Sequence, residues 1–166
     1  SAFGQAAPLN LDLQRDGRVL PTPFHFLDNN KATNVRPKNY TWNALYDNII
    51  GLRRHSFSWS AIGRRLRANR VPTARYLNFV RAVSSEGFGR IRHDSTVRRL
   101  LDQDTTVRRF FEGESDSLPV FYTDSVRKDL GHWWDALPEG SLRHDPNAYL
   151  KAHQAAQVPT AAGSES

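Results

Sequence analysis

Residues 41–54 read TWNALYDNIIGLRR, and this stretch decides the fold class. Its apolar side chains recur at the three- and four-residue spacing of one face of an α-helix. They are Trp42, Leu45, Tyr46, Ile49, Ile50 and Leu52. Thr41 is suited to cap this helix because its side-chain oxygen can accept a hydrogen bond from a free amide of the first turn. The stretch predicts an amphipathic helix from Thr41 to about Arg54.

The chain beyond this helix has the same character. Ser58 predicts the cap of a second helix that runs to about Ala68. Pro72 suits the first turn of a third helix, and Gly87 is a natural stop for it. The apolar stripe of the third helix is expected to face a core. It consists of Tyr76, Leu77, Val80 and Val83.

A ten-residue repeat follows, in which residues 94–102 (DSTVRRLLD) are echoed by residues 104–112 (DTTVRRFFE). Each copy has a capping side chain and then apolar residues at helical spacing, which predicts two short helices. Gly113 should end the second. The paired arginines of each copy are expected to extend along the apolar stripe, with phosphate binding as the alternative.

The C-terminal third predicts two further helices, from Pro119 to about Leu130 and from Pro146 to about Gln154. The adjacent Trp133 and Trp134 are expected to fill the core because an indole ring carries a large apolar area, with ligand stacking as the alternative. We therefore expect a mainly α-helical protein. Its predicted parts are an extended, aperiodic N-terminal arm (1–40), a helical domain (41–155) and a flexible tail (156–166).

Residues 22–42 show neither helical period nor strand alternation, and they mix aromatic rings with amides and cations. Such a loop is either an ordered connector or a segment that lies across a site or docks onto another domain. The candidate residues for binding or interdomain docking are His25, Asn29, Asn30, Asn34, Arg36, Lys38, Asn39 and Trp42. Arg36 and Lys38 precede a predicted helix start, which suits either an anionic ligand or an interdomain salt bridge.

Residues 24–30 (FHFLDNN) and 33–38 (TNVRPK) resemble the region after the catalytic barrel in cobalamin-binding radical S-adenosylmethionine enzymes. In that family a Thr-Asn-x-x-Pro-Lys element precedes a helical C-terminal extension. Residues 8–18, 110–114, 118–122 and 144–150 are also similar to segments of that region, so the resemblance covers roughly residues 8–151. It implies a C-terminal accessory domain that helps to shape the substrate site.

The chain departs from the family in its chemistry. It contains no cysteine, whereas the family holds a [4Fe–4S] cluster through a Cys-x-x-x-Cys-x-x-Cys motif. The Asp-x-His-x-x-Gly element of cobalamin-binding domains is also missing. The resemblance therefore implies a piece that is not catalytic on its own and holds no cofactor. The cluster, S-adenosylmethionine and cobalamin would belong to the remainder of the parent enzyme, its catalytic barrel and cobalamin domain. The lack of methionine fits an excised fragment.

The charge suggests an alternative from another class. Residues 51–110 carry fourteen Lys/Arg against four Asp/Glu, whereas residues 111–166 carry four against nine. The basic block can pair with acidic side chains of the same chain or remain solvated. Alternatively, it forms a helical nucleic-acid-binding module in which Arg64, Arg65, Arg98 and Arg99 bind phosphate. No apolar run is long enough to span a membrane, and we expect a cytoplasmic protein.

Other sites have little support in the sequence. No two histidines have the i, i+4 spacing of a helical metal pair, so no metal site is expected. A Gly-x-Ser-x-Gly elbow and a glycine-rich phosphate loop are both missing. The carboxylates near residues 94–104 and 112–114 are expected to cap helices.

Overall fold

The computed structural model describes residues 8–22 and 33–157, and it confirms a mainly α-helical fold. The α-helices are α1 (Pro8–Arg15), α2 (Trp42–Ser56), α3 (Trp59–Ala68), α4 (Pro72–Val83), α5 (Arg90–Gln103), α6 (Thr105–Glu112), α7 (Val120–Leu130) and α8 (Ala148–Gln157). A π-helix (Ser85–Gly89) precedes α5, and a 3-10 helix (Gly131–Ala136) follows α7. Within these residues the β-structure is one antiparallel bridge between Val19 and Val35. None of the helices described here is long and apolar enough to cross a membrane.

The predicted helix starts in the central region are confirmed. The Thr41 hydroxyl accepts a hydrogen bond from the Ala44 amide at 3.2 Å, and the Ser58 hydroxyl accepts one from the Ala61 amide at 3.3 Å. Pro72 is the first residue of α4, and the carboxylate of Asp104 caps α6. Gly113 ends α6 in the left-handed conformation with φ 73°, which glycine adopts without strain.

Two expected boundaries are wrong. Gly87 does not end the third helix, because α4 ends at Val83 and the π-helix runs directly into α5. Asp94 does not cap a helix either, because it lies inside α5. Both residues have roles that depend on the packing of one helical element against another. Gly87 lies so close to α4 that a Cβ atom there would be 1.9 Å from the Ala82 carbonyl oxygen, and the buried Asp94 is 2.7 Å from the Arg53 guanidinium.

The chain folds into two compact units. The first combines Ser1–Arg36 with Asp116–Ser166, and the second is Pro37–Ser115. The sequence suggested a different division, with one helical domain over residues 41–155. The difference arises because the described residues after 115 pack with the N-terminal segment, a choice that local helical patterns do not encode.

The second unit is built around α2 and α5, which pack against each other. The Trp42 and Phe111 rings meet edge to face with centroids 4.7 Å apart, and the Tyr46 ring lies 6.2 Å from that of Phe111. The Trp42 indole N–H donates to the Phe111 carbonyl at 2.8 Å. Ile50, Ile62, Val97, Leu101, Val107 and Phe110 are also buried. Aromatic contacts and a satisfied indole therefore fix how the two ends of this unit meet.

Helix α4 does not bury the stripe that was expected to face the core. Tyr76 is 69% exposed, and Leu77, Phe79, Val80 and Val83 are also exposed. The buried residue of α4 is Ala82, on the side where the helix meets α3 and the π-helix. The face of α4 that packs against its neighbours is therefore the one with the small side chain of Ala82, and the face with the large apolar side chains is exposed.

In the first unit, α1 packs against α8, and the Gln14 side-chain oxygen accepts a hydrogen bond from the Leu150 amide at 2.8 Å. Helix α1 lies in the arm that was expected to be extended, so that prediction is wrong for residues 8–15. Trp133 does not fill the core, because it is 64% exposed. Trp134 is half-buried, with the Arg127 guanidinium 4.8 Å from its ring centroid. The core here consists of Leu13, Leu20, Tyr122 and Val126.

Candidate functional site

The residues predicted for docking have different surroundings. His25, Asn29 and Asn30 lie outside the described residues. Asn34 and Arg36 belong to the first unit, whereas Lys38, Asn39 and Trp42 belong to the second. The predicted set is therefore not one cluster within either unit.

The Asn34–Arg36 strip is held by backbone pairing with residues 18–20. The Leu20 amide donates to the Asn34 carbonyl at 2.8 Å, and the Arg36 amide donates to the Arg18 carbonyl at 2.7 Å. The Arg18 guanidinium in turn donates twice to the Arg36 carbonyl, at 3.0 and 2.7 Å. The backbone of the strip is thus fixed by its pairing with residues 18–20.

Two side-chain atoms of this strip have no hydrogen-bond partner among the described residues. They are Oδ1 of Asn34, a side chain only 3% exposed, and Nε of Arg36. A buried polar atom without a partner costs about 1–3 kcal/mol. The strip therefore contains two unsatisfied polar atoms that are both shielded from solvent.

Lys38 and Asn39 are exposed just before the Thr41 cap, where a ligand could reach them. Trp42 differs from its prediction: it is buried, with its indole N–H bonded within the unit. Its role is therefore packing, and it presents no surface for docking.

The four arginines proposed for phosphate binding also differ in their surroundings. Arg98 is held by Asp47 at 2.9 Å and by Asp102, and its side chain is only 24% exposed. The hydrogen bonds that Arg98 donates to these two carboxylates, that to Asp102 first, raise the pKa of Arg98. Arg98 is thus held by two carboxylates of its own unit, with which a phosphate ligand would have to compete. Arg64 and Arg99 remain exposed.

Arg65 lines a cavity of about 460 Å³ within the second unit. The lining residues come from α3, α4, the π-helix and the start of α5, with one residue from the α2–α3 link. They are Phe57, Arg65, Asn78, Arg81, Ala82, Glu86 and Arg90. The cavity thus holds three cations and one carboxylate, and we call it the arginine cavity.

Local contacts orient two of its arginines. The Arg65 guanidinium donates to the Ser56 carbonyl at 2.7 Å and lies 5.3 Å from the centroid of the Phe57 ring. Arg81 Nε donates to a carboxylate oxygen of Glu86 at 2.8 Å. The hydrogen bond and charge of Arg81 lower the pKa of Glu86, and the charge of Arg90 adds to this effect. Glu86 is therefore ionised at neutral pH, and the lining carries a net charge of +2.

Sequence reasoning missed Asn78, Arg81, Glu86 and Arg90. The π-helix brings them together, and it exists because Gly87 can approach the backbone of α4. The available signal was Gly87, which was interpreted as a helix stop. π-helical turns are frequent at functional sites.

The first unit contains a second cavity, of about 600 Å³. Its lining includes Pro21, Asp116, Leu118, Thr123, His144 and Pro146. Burial lowers the pKa of His144 against the opposing charge of Asp145, so the imidazole is neutral at pH 7 and can both donate and accept a hydrogen bond. We call this site the His144 cavity.

The described residues were also compared with the requirements of a metal site. Among residues 8–22 and 33–157, no three His, Cys, Asp or Glu side chains are grouped so that they could hold a metal ion. Comparison of the chain with models of protein families, with curated proteins and with solved structures finds no match.

Proposed function

We propose that this chain is a helical, non-catalytic C-terminal region of a cobalamin-dependent radical S-adenosylmethionine enzyme, and that its first unit helps to shape the substrate site. One observation carries the proposal. Two of the segments that resemble this family, residues 118–122 and 144–150, are far apart in sequence, yet both contribute to the His144 cavity. Because the two segments line the same cavity, a ligand in that cavity would give a physical reason why both of them resemble the family.

The His144 cavity has the chemistry of a site for a polar organic molecule. Its volume lies in the range of small-molecule sites. His144 offers a neutral imidazole, Asp116 a carboxylate, and Leu118 and Pro146 apolar surface. These groups suit orientation of a substrate. The radical chemistry would come from the cluster and S-adenosylmethionine held by the parent enzyme.

The coding sequence upstream of Ser1 tests the proposal most directly. We expect a continuous reading frame that encodes Cys-x-x-x-Cys-x-x-Cys, because cluster ligation needs thiolates that this chain lacks. The present chain should stay colourless after anaerobic treatment with iron and sulfide. A frame without the cysteine motif, or cluster absorbance near about 400 nm in this chain, would contradict the proposal.

Arg36 and Lys38 provide a second test, in the full-length enzyme. Arg36→Ala and Lys38→Ala should each reduce turnover at least tenfold, a change of about 1.4 kcal/mol in the barrier. The physical reason is that a docked cation leaves its partner unpaired when it is removed. Arg64→Ala, an exposed arginine of the second unit, is the matched control and should retain activity. Wild-type turnover in both Arg36→Ala and Lys38→Ala would show that the segment is only a connector.

Nucleic-acid binding remains the alternative, supported by the composition of the second unit. Residues 37–115 carry fifteen Lys/Arg against seven Asp/Glu, and Arg64 and Arg99 are exposed. Because Arg98 is already paired, we expect only weak, sequence-independent binding that falls steeply with salt. A sub-micromolar complex at physiological salt that is lost when Arg64, Arg65, Arg98 and Arg99 are changed to Ala would favour the alternative.

A further inference from the structure

We infer that the arginine cavity of the second unit is a binding site for the phosphate group of a phosphorylated small molecule. Three arginines from three different elements line it: Arg65 from α3, Arg81 from α4 and Arg90 from the start of α5. Guanidinium groups carry planar sets of donors that match the oxygens of phosphate. Asn78 adds an amide to the same lining.

The charge of the site defines its ligand. Glu86 offsets one of the three cations, which leaves a net charge of +2 on the lining. A phosphate monoester carries a charge of about −1.5 to −2 at pH 7 and so balances this excess. A carboxylate or a sulfate ester, with a single charge, would leave part of the excess unbalanced.

The volume of the arginine cavity indicates a ligand larger than an inorganic phosphate ion. A cavity of about 460 Å³ falls in the range of small-molecule sites, and Phe57 and Ala82 give it apolar surface beside the arginines. The phosphate would lie among the guanidinium groups while the organic part contacts the Phe57 side.

Glu86 acts in this site as an internal competitor. It holds Arg81 at 2.8 Å, and both side chains are more than half exposed. Exposed ion pairs are weak, so a bound phosphate can replace the Glu86 carboxylate as the hydrogen-bond acceptor of Arg81. This arrangement predicts effects of opposite sign: loss of an arginine weakens binding, whereas loss of the Glu86 charge strengthens it.

Calorimetric titration of the whole chain with phenyl phosphate tests the inference. We expect saturable one-to-one binding at about pH 7.5, where the ligand is a dianion. Arg90→Ala should weaken it at least tenfold, because a hydrogen bond to a charged group is lost. Glu86→Gln should strengthen it about threefold, since a competing anion is removed. Arg109→Ala, which changes an exposed arginine of α6 outside the lining, should leave affinity within about twofold.

A second pair of measurements separates binding from folding effects. Arg81→Lys keeps the charge and removes the planar fork, and it should bind more weakly while its circular dichroism stays that of the wild type. Phenyl sulfate, with the same shape and one charge, should bind more weakly than phenyl phosphate. The difference should shrink towards about pH 5, where the phosphate loses its second charge.

The source of the phosphate is decided with a single-stranded twelve-nucleotide oligodeoxythymidylate. Tighter binding of phenyl phosphate supports a small-molecule ligand, because the terminal dianion meets all three arginines. Tighter oligonucleotide binding with the same ranking of variants supports the phosphate site and assigns its ligand to nucleic acid. The inference is overturned if phenyl phosphate does not bind, if Arg109→Ala and Arg90→Ala weaken it equally, or if Glu86→Gln weakens it.

Discussion

Gly87 allows the sharpest test of how the second unit is built. An alanine Cβ at this position would lie 1.9 Å from the carbonyl oxygen and 2.6 Å from the carbonyl carbon of Ala82. Ordinary contacts of a Cβ atom begin at about 3.4 Å, so the π-helix and α4 would have to separate by more than an ångström. The contacts are with backbone atoms, which cannot rotate away. We therefore expect Gly87→Ala to reduce the free energy of unfolding by about 2–3 kcal/mol, the range of overpacking substitutions.

Gly51→Ala is the matched control because it makes the same chemical change in a helix with open space around the new methyl group. Alanine is the better helix former, so this variant should gain about 0.5–1 kcal/mol. Urea unfolding followed by circular dichroism measures both values. The reasoning is refuted if Gly87→Ala unfolds within about 0.5 kcal/mol of the wild type, or if both alanines change stability in the same direction.

Two further changes test the core of the second unit. Trp42→Phe removes the indole N–H that donates to the Phe111 carbonyl. Because a buried acceptor without a donor and a gap remain, we expect the free energy of unfolding, measured in urea, to fall by about 2–4 kcal/mol. A fall below about 0.5 kcal/mol would contradict the assigned packing role. Burial raises the pKa of Asp94, against the opposing charges of Arg53, His93 and Arg90, so the folded protein holds this proton more tightly than the unfolded chain does. Asp94 therefore contributes stability at low pH that is lost as the pH rises through its folded pKa, which lies above the ordinary aspartate value of about 3.9. Comparing the melting temperatures of the wild type and Asp94→Asn across that window isolates this contribution, and parallel profiles would refute it.

Asp94 also shows how an ion pair can remain incompletely satisfied. Its Oδ2 lies 2.7 Å from Arg53 Nε, yet it has no hydrogen-bond donor among the described residues. The N–H bond of Arg53 Nε is therefore not directed at this oxygen, and the contact is an ion pair without good hydrogen-bond geometry. This explains why desolvation outweighs the attraction of Arg53 in setting the pKa of Asp94.

The sequence by itself determined the helical class and most of the helix starts. Thr41, Ser58, Pro72 and Asp104 act where they were expected to act, and Gly113 ends a helix as predicted. The physical reason is that a cap is a contact between residues at most three or four positions apart. The information needed to predict it is therefore contained in a short window of sequence.

The candidate sites were only partly readable for the opposite reason. The sequence singled out Arg65 as a phosphate ligand but gave His144 no site role, and the partners that make each of them part of a cavity come from other segments of the chain. Arg98 was assigned to phosphate because its ion pair with Asp47, from another helix, leaves no local sign. Similarly, no helical pattern reveals that residues after 115 pack with the N-terminal segment.

Tertiary packing alone decided which apolar stripe is buried. The stripes of α2 and α4 look equivalent in the sequence, yet Trp42 and Tyr46 are in a core whereas Tyr76 and Val80 are exposed. Periodicity identifies the apolar face of a helix, but burial requires a second surface to cover that face. For α4 the covered side is the one that carries Ala82, because Gly87 lets the π-helix backbone approach there more closely than any side chain would allow.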